Sequence, residues 1–244
     1  MIYFTSDLHF GHDNIIKYCN RPFKSTEEMD ETIIERWNKT VRAKDTCYIL
    51  GDVFMYNTEH NIKCLERLHG HIYLVRGNHD PFRDNDSHFG WIKDYFKLRM
   101  DHRKFILCHF PILSWDGMER GISYHLHGHQ HNHASYNEEQ RYRGIKRYDV
   151  GVDANNFTPI SIEEIVAFFD KKIDDKPAVP DVCPYCAIPT KIYMDSGGQF
   201  FGQCMCQRVL LKGNSFEGAI LDWNEKANQM RKEIQHESSN SLRM

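Results

Sequence analysis

The stretch Ile72–Asp80, IYLVRGNHD, contains four residues typical of a buried β-strand, followed at once by a polar turn. The same arrangement occurs earlier, where the apolar run Thr46–Leu50 is followed by Gly51 and Asp52. A pattern with apolar residues at helical spacing separates these two predicted strands. Because short apolar strands that alternate with helices build parallel sheets, this region predicts an α/β fold.

The flanking sequence extends the pattern in both directions. Further strands are predicted at residues 2–6, 95–100, 104–108, 123–127 and 147–152. Ser25 and Glu28 have the spacing of a capping box before an amphipathic helix, and Ser161 is placed to cap a last helix over residues 162–169. The second half of this region is therefore expected to be richer in strands than the first.

The composition changes after residue 170. Residues 171–180 combine charged residues and prolines with little that could be buried, which is typical of a linker. We therefore predict a large domain over residues 1–170, a linker over 171–180, a small domain over 181–236 and a polar, disordered tail over 237–244.

Bulk charge and hydrophobicity narrow the function classes. The chain has 244 residues and a formal net charge of −3, whereas proteins that bind long nucleic acids usually have a basic surplus. A small substrate is therefore favoured, and nucleic acid stays open but is not favoured. The start of the chain lacks the basic segment of a signal peptide, and no apolar run approaches the roughly 20 residues of a membrane span. We expect a cytoplasmic protein without membrane contact, in an oligomeric state that the sequence leaves open.

Residues of the types that can bind metals follow five predicted strands. They are Asp7 with His9, Asp52, Asn78 with His79 and Asp80, His109, and His129 with His131. Because ligands gather outside the carboxyl ends of strands in an open α/β sheet, these side chains can converge on one crevice. Imidazole suits Zn or Fe, carboxylate and amide oxygens suit Mn, and two such ions can hold both ends of a displacement at phosphorus.

Taken in order, these motifs resemble the calcineurin-like metallophosphoesterases over roughly residues 1–170. The resemblance implies a two-sheet α/β sandwich flanked by helices. It also implies a metal-dependent phosphoesterase that hydrolyses a phosphate ester by in-line attack of a metal-bridging hydroxide. Two divalent ions (Mn, Fe, Ni or Zn) would be held by Asp7, His9 and His131 and by Asn78, His109 and His129, with Asp52 bridging them.

The resemblance also implies how substrate is handled. His79 would face the substrate and protonate the leaving group, with Asp80 orienting its ring. His12 and Arg76 are candidate substrate contacts. For His12, a capping or surface role is the stronger alternative, and for Arg76 a structural salt bridge is an equal one.

Four cysteines cluster near the end of the chain, in one Cys-x-x-Cys and one Cys-x-Cys pair. They are Cys183, Cys186, Cys204 and Cys206. Four thiolates suit one structural Zn, which would stabilise a small domain, and unligated thiols are the alternative. With CPYC at 183–186, QFFGQC at 199–204 and AILDWN at 219–224, the segment resembles the Lar-type restriction-alleviation zinc ribbon. That family has two residues inside its second cysteine pair, where this chain has only Met205. The resemblance implies a phage-related role against host defence.

The sequence favours a phosphodiesterase that acts on a small nucleotide or cyclic nucleotide. A phosphomonoesterase is the first alternative, although GDVF at 51–54 lacks the arginine that follows in the family's Ser/Thr phosphatases. A nuclease is the second. In a non-enzymatic alternative, the zinc ribbon is a binding module and the phosphoesterase domain a scaffold, which the complete set of ligands argues against.

Overall fold

The computed structural model describes residues 1–171 continuously, and beyond them residues 191–194, 200–203, 210–213, 223, 225–227 and 229. The chain divides into two compact units, Met1–Lys171 and Lys172–Met244. The four clustered cysteines, most of the predicted linker and the predicted tail lie outside the described residues. The predicted zinc site and domain bounds therefore stay predictions.

Strands and helices alternate through the first unit. Its described elements are β1 (Ile2–Thr5), α1 (Asp13–Tyr18), α2 (Thr26–Thr40), β2 (Thr46–Ile49), α3 (Glu59–Glu66), β3 (His71–Val75), β4 (Ile92–Lys93), β5 (Phe96–Met100), β6 (Arg103–Leu107), β7 (Ser123–His127), α4 (Ala134–Tyr142), β8 (Arg147–Asp149), β9 (Ile160–Ser161) and α5 (Ile162–Asp170). In the second unit, β10 (Lys191–Met194), β11 (Phe200–Gln203) and β12 (Leu210–Gly213) pair antiparallel in that order.

Two mixed sheets form the first unit. One has the strand order β4-β3-β2-β1-β9, with β1 to β4 parallel and β9 antiparallel. The other has the order β5-β6-β7-β8, with β6 to β8 parallel and β5 antiparallel. The predicted α/β fold of two sheets flanked by helices is thus confirmed for this unit. None of the helices in the described part of the chain has the length and apolar character that crossing a bilayer requires.

The core lies on both faces of the first sheet, because successive strand residues point to opposite sides. Tyr3 and Ile49 pack with the apolar residues of α1, α2 and α3. Phe4 and Tyr48 point the other way and pack between the sheets, where the Phe4 ring stacks 6.4 Å from that of Phe105. Each fully buried side chain of this size contributes about 1.5–3 kcal/mol. The two sheets are thereby held in a fixed relation, which positions the loops at their edges.

Local sequence signals account for most helix starts. Ser161 and Glu164 form both hydrogen bonds of a capping box at the start of α5. At α2 only half of the predicted box forms, because the Glu28 carboxylate accepts the Lys24 N–H at 2.8 Å instead of the Ser25 N–H.

Helix α4 has no apolar stripe in its sequence, ASYNEEQRY, and the sequence pattern did not predict it. Its buried residues are the polar Asn137 and Gln140. The Asn137 side chain exchanges two hydrogen bonds, of 2.7 and 3.0 Å, with the backbone of Asp149 in β8. Polar anchoring to a neighbouring strand therefore holds this helix, and hydrophobic periodicity carries no sign of such anchoring.

Candidate metal centre

The predicted site residues lie on short loops after the strands, and much of their backbone is strained. Asp7, His9, Asp52, His129 and His131 all have φ between 49° and 71°. Left-handed backbone at non-glycine residues costs of the order of 1–3 kcal/mol each and persists only where the surroundings impose it. Here the loops hold each other, since the N–H groups of Asp7 and His9 donate to the carbonyls of Gly51 and Asp52 at 3.0 and 3.1 Å.

The first metal-ligand group consists of Asp7, His9 and His131, whose ligand atoms lie within 4.8 Å of one another. Both ring nitrogens of His9 are buried and find no hydrogen-bond partner among the described residues. Burial lowers the pKa of His9 well below its usual value, so the ring is neutral and can offer a lone pair. Burial disfavours the charged form of the Asp7 carboxyl and raises its pKa to about 8. A positive charge beside it would therefore favour its ionised form.

The second metal-ligand group consists of Asp52, His109 and His129, also within 4.8 Å. The His109 Nδ1–H donates to the Leu50 carbonyl at 2.7 Å, and burial lowers the pKa of the ring. Its Nε2 therefore carries a lone pair, which faces Asp52 Oδ2 at 3.5 Å and Asn78 Oδ1 at 3.1 Å. These atoms are all acceptors, so a cation would stabilise their close approach.

One carboxylate stands between the two groups. Asp52 Oδ2 lies 3.6 Å from Nε2 of His9, in the first group, and 3.5 Å from Nε2 of His109, in the second. The other oxygen, Oδ1, accepts the backbone N–H of His79 at 3.0 Å. The carboxylate is thus held in one orientation, with a single oxygen facing an imidazole of each group.

Two glycines permit this close approach. A Cβ at Gly77 would lie 2.2 Å from Asp52 Oδ1, and a Cβ at Gly128 would lie 2.3 Å from Asp7 Oδ2. Side chains there would displace the carboxylates. Unpaired buried imidazole nitrogens beside carboxylate oxygens match the donor set of a divalent transition-metal ion. The structure therefore contains two His/Asp groups that could each hold a metal ion.

His79 lies next to the first group, and Asp80 fastens the backbone beneath the site. The half-buried His79 ring is 5.7 Å from the ring of His9. The Asp80 carboxylate accepts the N–H groups of Gly77, Asp52 and Val53 at 2.7–2.9 Å. Within the described residues, its hydrogen bonds go to this backbone and not to the His79 ring. Burial raises the pKa of Asp80 to about 6 although these bonds oppose the shift.

The two candidate substrate contacts differ in position. The His12 ring lies 5.5 Å from that of His9, and its buried Nδ1 has no partner among the described residues. His12 is the residue before α1, but its side chain makes no capping bond. Arg76 instead forms ion pairs with Asp84 and, at 2.9 Å, with Asp94. The structure thus brings His12 to the site and engages Arg76 in a salt-bridge pair.

Two further residues support the first group, and the sequence analysis missed both. Asp153 Oδ2 accepts the His131 Nδ1–H at 2.8 Å and forms a two-point ion pair with the buried Arg21. Arg21 also donates to the carbonyls of Asp7 and Leu8. Burial opposes protonation of His131, but its hydrogen bonds to Asp153 and Cys19 and the charge of Asp7 raise its pKa to about 10. Asp153 follows β8 as the predicted ligands follow their strands, so that signal was available. Arg21 has no comparable signal.

Comparisons with known proteins give relatives from an archaeon, a phage and a bacterium. The chain is 38% identical over 178 residues to the uncharacterized protein MJ1445 of Methanocaldococcus jannaschii, covering 70% of this chain and 92% of that protein. It is 30% identical over 182 residues to the gene 66 protein of Mycobacterium phage L5, covering 62% of this chain and 86% of that protein. The crystal structure of AQ665 from Aquifex aeolicus, a protein of unknown function, matches with a TM-score of 0.56 and 28% identity, over 68% of this chain and 97% of that one. No family model matches the chain.

Proposed function

We propose that this chain, which belongs to the same family as MJ1445 of Methanocaldococcus jannaschii and the gene 66 protein of Mycobacterium phage L5, is a two-metal phosphodiesterase. The observation that carries the proposal is that two separate groups of acceptors meet at one oxygen of Asp52. Hydrolases that displace a group at phosphorus use such paired sites. The order of the ligand motifs, which resembles the calcineurin-like metallophosphoesterases, agrees with it.

In the proposed centre, Asp7, His9 and His131 hold one divalent ion and Asn78, His109 and His129 the other. Asp52 belongs to both. When bound, the two ions neutralise phosphoryl oxygens and lower the pKa of a water molecule, so that hydroxide is available near neutral pH. Mn, Fe, Ni and Zn are all compatible with this mixture of imidazole and oxygen donors.

The protein's own residues orient the ester and move the proton. The backbone N–H of His79 is bonded to Asp52, and its ring lies 5.7 Å from that of His9, beside the proposed centre. From there it donates a proton to the leaving oxygen, a role that typically contributes 10²–10⁴-fold to the rate. His12, whose ring lies 5.5 Å from that of His9, is a second candidate contact for the phosphate.

We infer that the substrate is a small phosphate ester, with a nucleotide or cyclic nucleotide favoured. Asn78 and His129 are exposed, so the second group is open to an entering ligand. The net charge of −3 gives no general basic surplus for a long nucleic acid. The phage relative supports a phage-related setting, whereas a role against host defence depends on the proposed zinc ribbon.

The test is hydrolysis of bis-p-nitrophenyl phosphate and of p-nitrophenyl phosphate by metal-stripped protein reloaded with Mn. We expect diester turnover that requires the metal. In His79→Ala, we expect turnover of a cyclic nucleotide, whose leaving alkoxide needs a proton, to fall at least about 100-fold while both Mn ions stay bound, because the general acid is lost and the ligands remain. The p-nitrophenyl esters, whose phenolate leaves readily without a proton, should lose less.

His71→Ala is the matched control, since His71 begins β3 whereas His79 follows its other end. This variant should keep wild-type turnover. Turnover of the monoester alone would replace the proposal with a phosphomonoesterase. Absence of turnover with both metals bound would refute hydrolysis of simple esters and turn attention to the C-terminal unit.

A further inference from the structure

Phe110 is an exposed aromatic residue in contact with the second metal-ligand group. Its ring lies edge-on to two imidazoles, with centroids 5.0 Å from His109 and 4.7 Å from His129. The residue keeps 44% of its surface exposed. Single exposed apolar side chains are common on proteins and by themselves mean little. This one differs because its covered part touches two proposed metal ligands, so its free part borders the proposed reaction centre.

The backbone on both sides of Phe110 is fixed. On one side, the Gly128 N–H donates to the His109 carbonyl at 3.0 Å. On the other, the Ile112 N–H donates to Nε2 of the fully buried His125 at 3.1 Å. The ring is therefore presented from an ordered loop. Binding of a ligand to this ring therefore costs less conformational entropy than binding to a ring on a mobile loop, which would have to become ordered.

Phe110 and His79 lie against different groups of the centre. The His79 ring approaches His9, in the first group, whereas Phe110 contacts His109 and His129, in the second. A phosphodiester has two ester substituents. If His79 protonates the oxygen of the one that leaves, the substituent that stays on phosphorus is directed toward the second group and so toward Phe110.

From this arrangement we propose that Phe110 is a specificity residue that stacks on an aromatic base in the retained ester group, so that nucleoside phosphodiesters are preferred to alkyl diesters. The inference rests on the proposed phosphodiesterase function. Hydrolysis forms a P–O bond from water and breaks the bond to the leaving oxygen, which takes the proton. The retained nucleoside is released as its monophosphate. Base–aromatic stacking is tolerant of base identity, so a broad preference is expected.

The test uses two diesters with the same leaving group, p-nitrophenol, and different retained groups, thymidine 5′-(p-nitrophenyl) phosphate and methyl p-nitrophenyl phosphate. With Mn-loaded wild-type protein, kcat/KM should be higher for the thymidine ester. Phe110→Leu keeps an apolar side chain but removes the ring. We expect it to lower the thymidine-to-methyl ratio at least about fivefold, the lower end of measured stacking effects. The change should lie mainly in KM, because stacking is equal in the ground and transition states.

Two variants keep the result interpretable. Phe110→Trp retains an aromatic face and should keep or raise the ratio. Ile122→Ala removes a side chain of similar exposure, 46%, that precedes β7, whereas His129 follows the other end of that strand, and it should leave the ratio at the wild-type value. Thermal unfolding and bound Mn, measured on each variant, identify proteins that fold and load normally.

The outcomes separate this inference from the proposed function. An unchanged ratio in Phe110→Leu, or an equal drop in Phe110→Trp, overturns the stacking role. Turnover of the methyl ester by the wild-type protein would in that case still support a phosphodiesterase. Failure of the wild-type protein to hydrolyse either diester with both metals bound would overturn both proposals together.

Discussion

The two metal-ligand groups differ in how the fold holds them. In the first, Asp7 and His9 are buried, and His131 is fixed from behind by Asp153, which is itself paired with Arg21. In the second, His129 is exposed, as is the neighbouring Asn78, and His109 is fixed by the Leu50 carbonyl. Asp153 and Arg21 thus form a charged outer layer behind the first group, whereas the second group borders solvent and Phe110. In the proposed enzyme, we therefore expect the first group to bind its ion more tightly and the second to be the side from which substrate enters.

The largest effect is expected from Asp52→Asn, which removes the charge that joins the two groups. We expect kcat/KM for the diester to fall at least about 1000-fold, since several kcal/mol of transition-state stabilisation would be lost. Bound Mn should fall below two per chain by elemental analysis. Asp116→Asn, at an exposed carboxylate that pairs with Lys104, is the matched control. Normal Mn content with near-normal turnover would refute the bridging role of Asp52.

Asp153→Asn should change the Mn affinity of the first group and not that of the second. Loss of the carboxylate behind His131 should weaken one Mn site about 10-fold or more and leave the other unchanged, because outer partners tune ligand basicity and orientation. Calorimetric titration of stripped protein with Mn measures both sites at once. Equal weakening of the two sites would show that the outer layer is not specific to the first group.

The control for Asp153 is an exposed ion pair of the same type. Glu31 forms two hydrogen bonds of 2.6 Å to Arg67 at the surface. Glu31→Gln should leave both Mn affinities unchanged and alter the free energy of unfolding by no more than about 1 kcal/mol. A change in Mn affinity in Glu31→Gln would mean that the net charge of the protein, and not the hydrogen bond between Asp153 and His131, determines the affinity of the sites.

The last effect is on stability and concerns the segment that carries Phe110. Burial, with a contribution from His127, lowers the pKa of His125 to about 3. The unfolded ring has a pKa near 6.5, so below that value the unfolded state binds the proton and stability is lost. Between pH 7 and pH 5, this group should reduce the free energy of unfolding by about 2 kcal/mol.

His125→Gln should remove that part of the pH dependence. The measurement is urea unfolding at pH 7 and pH 5, with chelator present so that metal binding does not contribute. If the wild-type protein and the variant lose equal stability on acidification, His125 does not carry the effect, and the neutral acceptor assigned to the Ile112 N–H would be wrong.

Much of the fold and the positions of the candidate ligands could be predicted because both follow local rules. Short apolar runs such as Ile72–Val75 predict strands, and polar residues after parallel strands share one sheet edge. The same rule applies to Asp153 after β8, although the sequence analysis did not use it. Helix α4 and the role of Arg21 could not be predicted in this way. Helix α4 is held by polar contacts to Asp149, and Arg21 pairs with the distant Asp153, and neither kind of contact leaves a periodic pattern in the sequence.

The sequence by itself determined the α/β class of the first unit and the kinds of donor atoms at its strand ends, because side-chain alternation and turn chemistry are local properties of the chain. Only the tertiary structure decided which of those atoms meet. The Asp7 carboxylate accepts the N–H of His129, 122 residues away, and Asp52 places one oxygen between His9 and His109. Such contacts depend on the packing of two sheets and on strained loops, whose geometry is imposed by the whole fold.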